Sequence, residues 1–576
     1  MSTFARRFSL FLSGAMALLI VTLIPVTANA QMKAAMGNGT PFCKNLYNPS
    51  LNPTGKIHAS QGAQMYCFGS QLAFAGNRSR ILASPSLSAS TSKIQNVDAA
   101  DPSEDISPNG TQAYGQSETS IAAADQYVVE AWNDSTGFFA PCPSPKSKEE
   151  LTGFGFSNNK GATFTDLGGL PNANCATSLY EGDASVETWE FQGQRYFYIS
   201  SLFATATGGL EIAVTACQVI GSGASATLEC GQPTVVATAP NGPGGFSSLD
   251  KDFATIDPLR GRLYISYSDF SDFTTSGSIA LAACDLTNNP LQPVCSNGAT
   301  NGPIYLVVAP PDPNFCENEG AYPAVDVKTG DVYVAYEHNW PSVFAFGACA
   351  TDPAKEVVTR IPHSCLTLPG PSTCHGSFSS TAQLITSMSA AFIPGYSRFP
   401  MNDFPRIAVS PAHGTVSIVW NDARYKPSGD ILLQSWSVGH AFPNPVQSKP
   451  VVVDNAKTAG KGWQFLPATR NTDDDGNLYI SWYGRSTPTT AITNLYEAVG
   501  VNPLTTTTPS NIKITNVASD WSAVSSDINP NFGDYTDNYV GAVGSTGVPF
   551  TGEVDYAAWS DGRLGDPQPF EAHITH

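Results

Sequence analysis

The sequence predicts an all-β fold, a β-propeller of four-stranded antiparallel blades. Three observations lead there. A hairpin pattern recurs seven times, Gly (50) and Pro (43) are abundant in the 576 residues, and no amphipathic helical run of any length interrupts the hairpins. The pattern is clearest from Phe404 to Arg424, FPRIAVSPAHGTVSIVWNDAR. A short apolar run, Ile407 to Val409, meets a turn with Pro411 and Gly414. A second run, Val416 to Trp420, closes on Asn421-Asp422-Ala423-Arg424. Two β-rich runs joined through Gly and Pro form an antiparallel pair. Other copies begin at Ser120, Ser185, Ala254, Pro323 and Pro467, and a looser one near Tyr535 ends at Arg563. Their starts lie roughly seventy residues apart, a length that suits one four-stranded sheet with its loops. Seven hairpins predict seven blades; six is the alternative if the last copy and the N-terminal strands form no true blade.

Taken in order, the chain opens on a targeting segment. Arg6 and Arg7 precede an apolar stretch from Phe8 to Ile24, and Ala28-Asn29-Ala30 fits the small-residue cleavage pattern. Residues 1–30 are therefore expected to be a signal peptide cleaved after Ala30, with the mature chain secreted or periplasmic. A retained membrane anchor is the alternative, against which the short apolar core argues. No later stretch is long and apolar enough to span a bilayer. Residues 31–112 lack the repeat and are expected to form an N-terminal extension and linker, Ser-rich from Leu82 to Lys93. Ile94 to Val97 is a candidate strand that completes the last blade and closes the ring between the chain ends. Residues 113–576 carry the hairpins.

The 12 cysteines include no C-x-x-C pair, which in an exported chain favours disulfides over thiolate metal sites. They fall in neighbouring couples: Cys43 and Cys67, Cys142 and Cys175, Cys217 and Cys230, Cys284 and Cys295, Cys316 and Cys349, Cys365 and Cys374. Sequential pairing would staple one hairpin or loop at a time. The formal charge is −19, and losing Arg6 and Arg7 makes it −21. That acidity argues against nucleic acid or anionic membrane as partners, both of which need a basic surface.

Chemistry-bearing positions cluster ahead of the inner strands. Glu118, Asp183, Asp252 and Asp403 each stand two residues before the aligned hairpin start, and Asp534 precedes Tyr535. Innermost propeller strands line the central channel, so these five are expected to ring one of its mouths. Crowded carboxylates repel and recruit a cation. A Ca²⁺ site at Asp183, Asp252 and Asp403 is one reading; the other has each acid cap its own loop through backbone N–H groups. No other cofactor is implied. Asp473-Asp474-Asp475-Gly476-Asn477 is either a calcium-like loop or a plain hairpin turn, and its distal glutamate is missing. His363 and His375 flank a cysteine couple as loop histidines or metal ligands. Trp420 to Arg424 and Trp559 to Arg563 repeat Trp-x-Asp-x-Arg, which serves either sugar binding or packing between blades.

The string SNNKGATF from Ser157 supplies a family link. It resembles the Asp-box of the sialidase superfamily, Ser-x-Asp-x-Gly-x-Thr-Trp, with Ser157, Gly161 and Thr163 matching, Asn159 in place of Asp and Phe164 in place of Trp. With the repeats, the chain resembles the exported, BNR-repeat sialidase-like propellers over about four-fifths of its length. In that family three arginines clamp a substrate carboxylate, a tyrosine activated by glutamate is the nucleophile, and an aspartate is the acid/base. The resemblance implies Tyr535, Arg406 and Asp252 as catalytic candidates, with Arg470 nearby. Arg360-Ile361-Pro362 matches a family arginine motif but follows the box instead of preceding it. The implied function is an exported propeller acting on or binding extracellular carbohydrate, as a glycoside hydrolase or polysaccharide lyase. The alternative is a non-catalytic module that binds glycan or protein. Fold alone does not choose.

Overall fold

Each of the seven hairpins is the inner edge of its own antiparallel sheet. The structure is a computed structural model that describes residues 94–575 other than 107–112, 140–149, 176, 205–208, 239–246, 272–276, 296–304, 313–315, 340–352, 367–377, 399–400, 456, 529 and 542–553. Blade 1 is a meander of Gln116–Ala124, Tyr127–Asp134, Thr152–Ser157 and Thr165–Gly169. The same order repeats outward from the inner strands Ser185–Phe191 (blade 2), Leu249–Asp257 (blade 3), Asn318–Asp326 (blade 4), Arg406–Ser410 (blade 5), Gln464–Ala468 (blade 6) and Asp537–Val540 (blade 7). In blades 2, 3 and 6 two short segments share the outer edge. Seven blades form, so the looser last copy is a true blade.

Blade 7 is completed from the other end of the chain. Its strands Val554–Asp561 and Gln568–Thr575 are followed at the edge by Val97–Asp98, with Val97 opposite Glu571 and Asp98 opposite Phe570. The candidate strand at 94–97 thus closes the ring only through its last residue, Val97, together with Asp98. The propeller therefore reaches back to residue 97, inside the stretch expected to be linker. The leader, the Ser-rich stretch, Cys43, Cys67 and His375 lie outside the described residues.

Small polar side chains join the blades near the axis. The Ser120 hydroxyl accepts the N–H of Val186 at 3.0 Å, and that of Ser185 accepts the N–H of Ala254 at 3.0 Å. An inner strand has neighbours only along its sheet, so such clasps satisfy N–H groups the channel would otherwise orphan. Farther out, Trp132, Trp189, Trp420, Trp482 and Trp559 are fully buried. The two Trp-x-Asp-x-Arg motifs pack as ties. Trp420 Nε1 donates to Asp422 Oδ2 at 3.0 Å and Trp559 Nε1 to Asp561 Oδ2 at 2.8 Å, while Arg424 and Arg563 bond the same aspartates. The Asp473 turn is likewise structural, its carboxylate accepting from Asn477 and from the Tyr479 hydroxyl. At the Ser157 turn, Ser157 Oγ accepts the Gly161 N–H and Asn159 Oδ1 accepts the Thr163 N–H, both at 3.0 Å. Gly161 lies at φ +80°, a left-handed geometry that favours glycine.

Two of the expected disulfides are described, Cys217–Cys230 and Cys284–Cys295, each joining adjacent strands of one blade. Cys175, Cys316 and Cys365 are also in disulfides whose partners lie outside the described residues. Replacing both Cys217 and Cys230 with Ala should lower stability by at most about 3 kcal/mol, since the bridge closes a short loop. An unchanged urea midpoint would show that the strand pairing alone holds this edge. Among the described residues no helix is long and apolar enough to cross a membrane.

Candidate functional site in the central channel

The inner strands start with an irregularity that decides what faces the axis. In blade 1, Ser117 pairs with Asn133 and Ser120 with Ala131, leaving Glu118 and Thr119 as a bulge. In blade 3, Asp250 pairs with Ser268 and Phe253 with Ser266, leaving Lys251 and Asp252. Lys251 is therefore the counterpart of Glu118, and both take left-handed backbone, φ 52° and 56°. Asp183 (φ 57°) and Leu466 (φ 49°) do the same in blades 2 and 6. A non-glycine residue held there costs about 1–2 kcal/mol; Lys251, Glu118 and Asp183 are each held in ion pairs, Leu466 in none.

Around the Lys251 ammonium, Asp534 Oδ2 lies at 2.8 Å, Asp183 Oδ2 at 3.1 Å and Glu118 Oε1 at 3.7 Å. Arg398 Nε approaches Asp534 Oδ1 at 3.1 Å. Asp250 and Glu319 complete the electrostatic neighbourhood. Burial works against ionisation of Lys251, Arg398, Glu118, Asp250, Glu319 and Asp534. It pushes Glu118 well up, helped by the charge of Asp183. Glu319 is raised by burial to about 7, with Arg398 and then Lys251 pulling the other way. Asp534 behaves differently: burial is opposed by Arg398 and Lys251, which together hold its carboxyl below the usual range.

Deeper in the channel come the aromatics. Phe253 stacks on Tyr322 with centroids 3.8 Å apart and meets Tyr535 edge-on at 4.9 Å. The Arg406 guanidinium sits over Tyr322 at 4.2 Å. The Tyr535 hydroxyl donates to the Ala184 carbonyl at 3.3 Å, and burial, then Glu118 and Asp183, push it well above a phenol's ordinary value. Beyond them Asp537 receives two arginines, Arg406 Nη2 at 2.7 Å and Arg470 Nη1 at 2.7 Å. Arg470 also pairs with Glu187 at 3.2 Å and donates to the Ala254 carbonyl. This end opens into a recess lined by Glu187, Arg470, Asn471 and Tyr539 between Ile256, Val325 and Val409.

Of the expected five acids, the structure brings Glu118, Asp183 and Asp534 together and leaves two elsewhere. Asp252 accepts the Ser200 hydroxyl at 2.6 Å between blades 2 and 3. Asp403 caps the Met388 N–H and accepts Asn421 Nδ2 at 2.6 Å. The Asp252 placement is corrected by the bulge: counting back from Ala254 lands one residue too far along, on the opposite face. Of the candidate catalytic set, Tyr535 and Arg406 flank Phe253 in the channel, and Asp252 does not join them. Arg360 lies on the third strand of blade 4, paired with Asp331 at 2.6 Å. Lys251, Asp250, Arg398, Glu187, Asp537 and Tyr539 are channel residues that the sequence pattern did not point to. Lys251 carried a visible signal, a lysine inside LDKD where the other lead-ins are acidic.

Asp312, Cys316 and His338 bring ligand-type atoms within 4.8 Å, but the Cys316 sulfur is in a disulfide and offers no thiolate.

No protein family matches the chain, and no curated protein matches it. Among solved structures it is similar to the alpha-L-arabinofuranosidase Arb93A from Fusarium graminearum, at 10% identity over 83% of this chain and 97% of that one, TM-score 0.38. It is similar to the Trypanosoma rangeli sialidase at 12% identity over 70% of this chain and 58% of that one, TM-score 0.37. The Penicillium chrysogenum alpha-L-arabinanase shows 10% identity over 84% of this chain and 98% of that one, TM-score 0.34. These are distant likenesses, and the fold stands on the strand pairing of this chain.

Proposed function

We propose that the protein is an exported β-propeller that acts on carbohydrate by glycoside hydrolysis, with the Lys251 mouth as its centre. One observation carries this reading. Two carboxyls in one cluster are driven apart, Asp534 held low and Glu319 raised to about 7. Opposed environments of that kind assign an ionised carboxylate and a protonated acid in one site. Cleavage of a glycosidic bond needs both. Asp534 serves as the carboxylate, positioned by Arg398 and Lys251, and Glu319 as the acid. Ordinary sialidase chemistry fits less well. Arg406 and Arg470 are already paired with Asp537, and burial raises Tyr535, so neither a free clamp nor a ready nucleophile is present among them. The reaction requires no cofactor.

A non-catalytic module for glycan or protein is the second reading, favoured by the burial of Glu319 and Asp534, each 2% exposed. Assay on a panel of aryl glycosides that includes arabinosides and sialosides separates the two. Glu319→Gln and Asp534→Asn should each lower kcat by about 100-fold or more while glycan binding persists. Binding without turnover by the native protein selects the module. Neither binding nor turnover would sink the carbohydrate reading.

A further inference from the structure

A row of buried carboxyl groups crosses the closing blade. Glu497 belongs to blade 6, Asp555 and Glu571 to blade 7, and Glu130 to blade 1. All four residues are fully buried, and none of their eight oxygens has a hydrogen-bond donor. Each acid acts on the next: Asp555 is the largest charge on Glu497 and on Glu571, and Glu571 the largest on Glu130. Acids this close without donors can bond one another only through a proton of their own. The groups facing the row add little positive charge. They are Asp537, Asp98, the Tyr479 and Tyr556 phenols, and His573, whose Nδ1 lies 3.5 Å from Glu571. Burial, then Lys160, lowers His573, so it is neutral at neutral pH. Arg470 is committed to Asp537 and Glu187.

The row sits at the ring closure. Glu571 lies opposite Val97 in the two-residue strand that closes blade 7. We propose that the row is a proton-dependent clamp: carboxylic acid protons hold blade 7 between blades 6 and 1, and their loss releases that blade and its N-terminal strand while the other blades stay folded. Burial raises Asp555 to about 7 and the other three well above their ordinary value. Asp98, on the closing strand, is raised by burial to about 8. An acid whose folded value is raised contributes fully below its unfolded value, about 4, and that contribution is lost as pH climbs through the folded one. The clamp is therefore closed in acid and weakens from weakly acidic to alkaline pH.

Hydrogen exchange of the full chain at pH 5 and pH 8, corrected for intrinsic rates, tests this. Protection of residues 94–98 and 568–575 should fall by at least about 100-fold, as each proton contributes up to tenfold per pH unit. Protection of 262–269 in blade 3 should change by less than about threefold. Glu571→Gln, which keeps a neutral group, should make blade 7 less sensitive to pH; if it does not fold, Glu130→Gln serves. Equal losses in blades 3 and 7, or no loss in blade 7, would overturn the clamp.

Discussion

Lys251→Ala is expected to destabilise the protein by about 3–5 kcal/mol, because it leaves buried acids without their counter-charge. Lys251 is 1% exposed, and Glu118, Asp183 and Asp534 are each no more than 2% exposed, so water cannot replace the ammonium. Arg398 would remain, but it lies against Asp534, not against Asp183 or Glu118. Urea denaturation with a lower midpoint and an unchanged slope would establish the loss. A change under about 1 kcal/mol would mean the three acids do not depend on Lys251. Ca²⁺ at millimolar concentration should leave the native Tm unchanged, since Lys251 already supplies the charge that a cation would bring. A Ca²⁺-dependent rise would restore the metal reading of this mouth.

Asp537→Ala should cost a similar amount, about 3–5 kcal/mol, from the opposite side of the balance. It strips Arg406 and Arg470 of the carboxylate they share and frees the Ser120 hydroxyl that donates to it at 2.8 Å. Arg406 is 3% exposed, so its guanidinium would stay buried with the Thr536 carbonyl and the Tyr322 and Phe253 faces but no carboxylate. A double-mutant cycle of Asp537→Asn with Arg406→Met isolates the pair. The double change should be milder than the sum by about 1 kcal/mol or more, because it removes both charges together. Additive effects would show that Asp537 does not organise the channel.

The sequence by itself determined the architecture. Alternation of inner and aromatic runs, punctuated by Gly and Pro, is local chemistry, and the seven copies each became the inner hairpin of one blade. Even the ring closure was anticipated at Ile94 to Val97, read as a candidate strand between the chain ends, of which Val97 pairs with Glu571. The clustering of Glu118, Asp183 and Asp534 was legible too, since equivalent positions on successive blades meet at the axis. Only the tertiary structure decided which residue of each lead-in faces that axis. A bulge at Lys251 and Asp252 turns the lysine inward and sends the aspartate to Ser200, and no glycine marks it in the sequence. The bulge sets Lys251 against Asp534, a residue far away in the chain, so its partner could not be read locally. The acid row from Glu497 to Glu130 was invisible for the same reason: its members lie on three blades and become neighbours only when the ring closes.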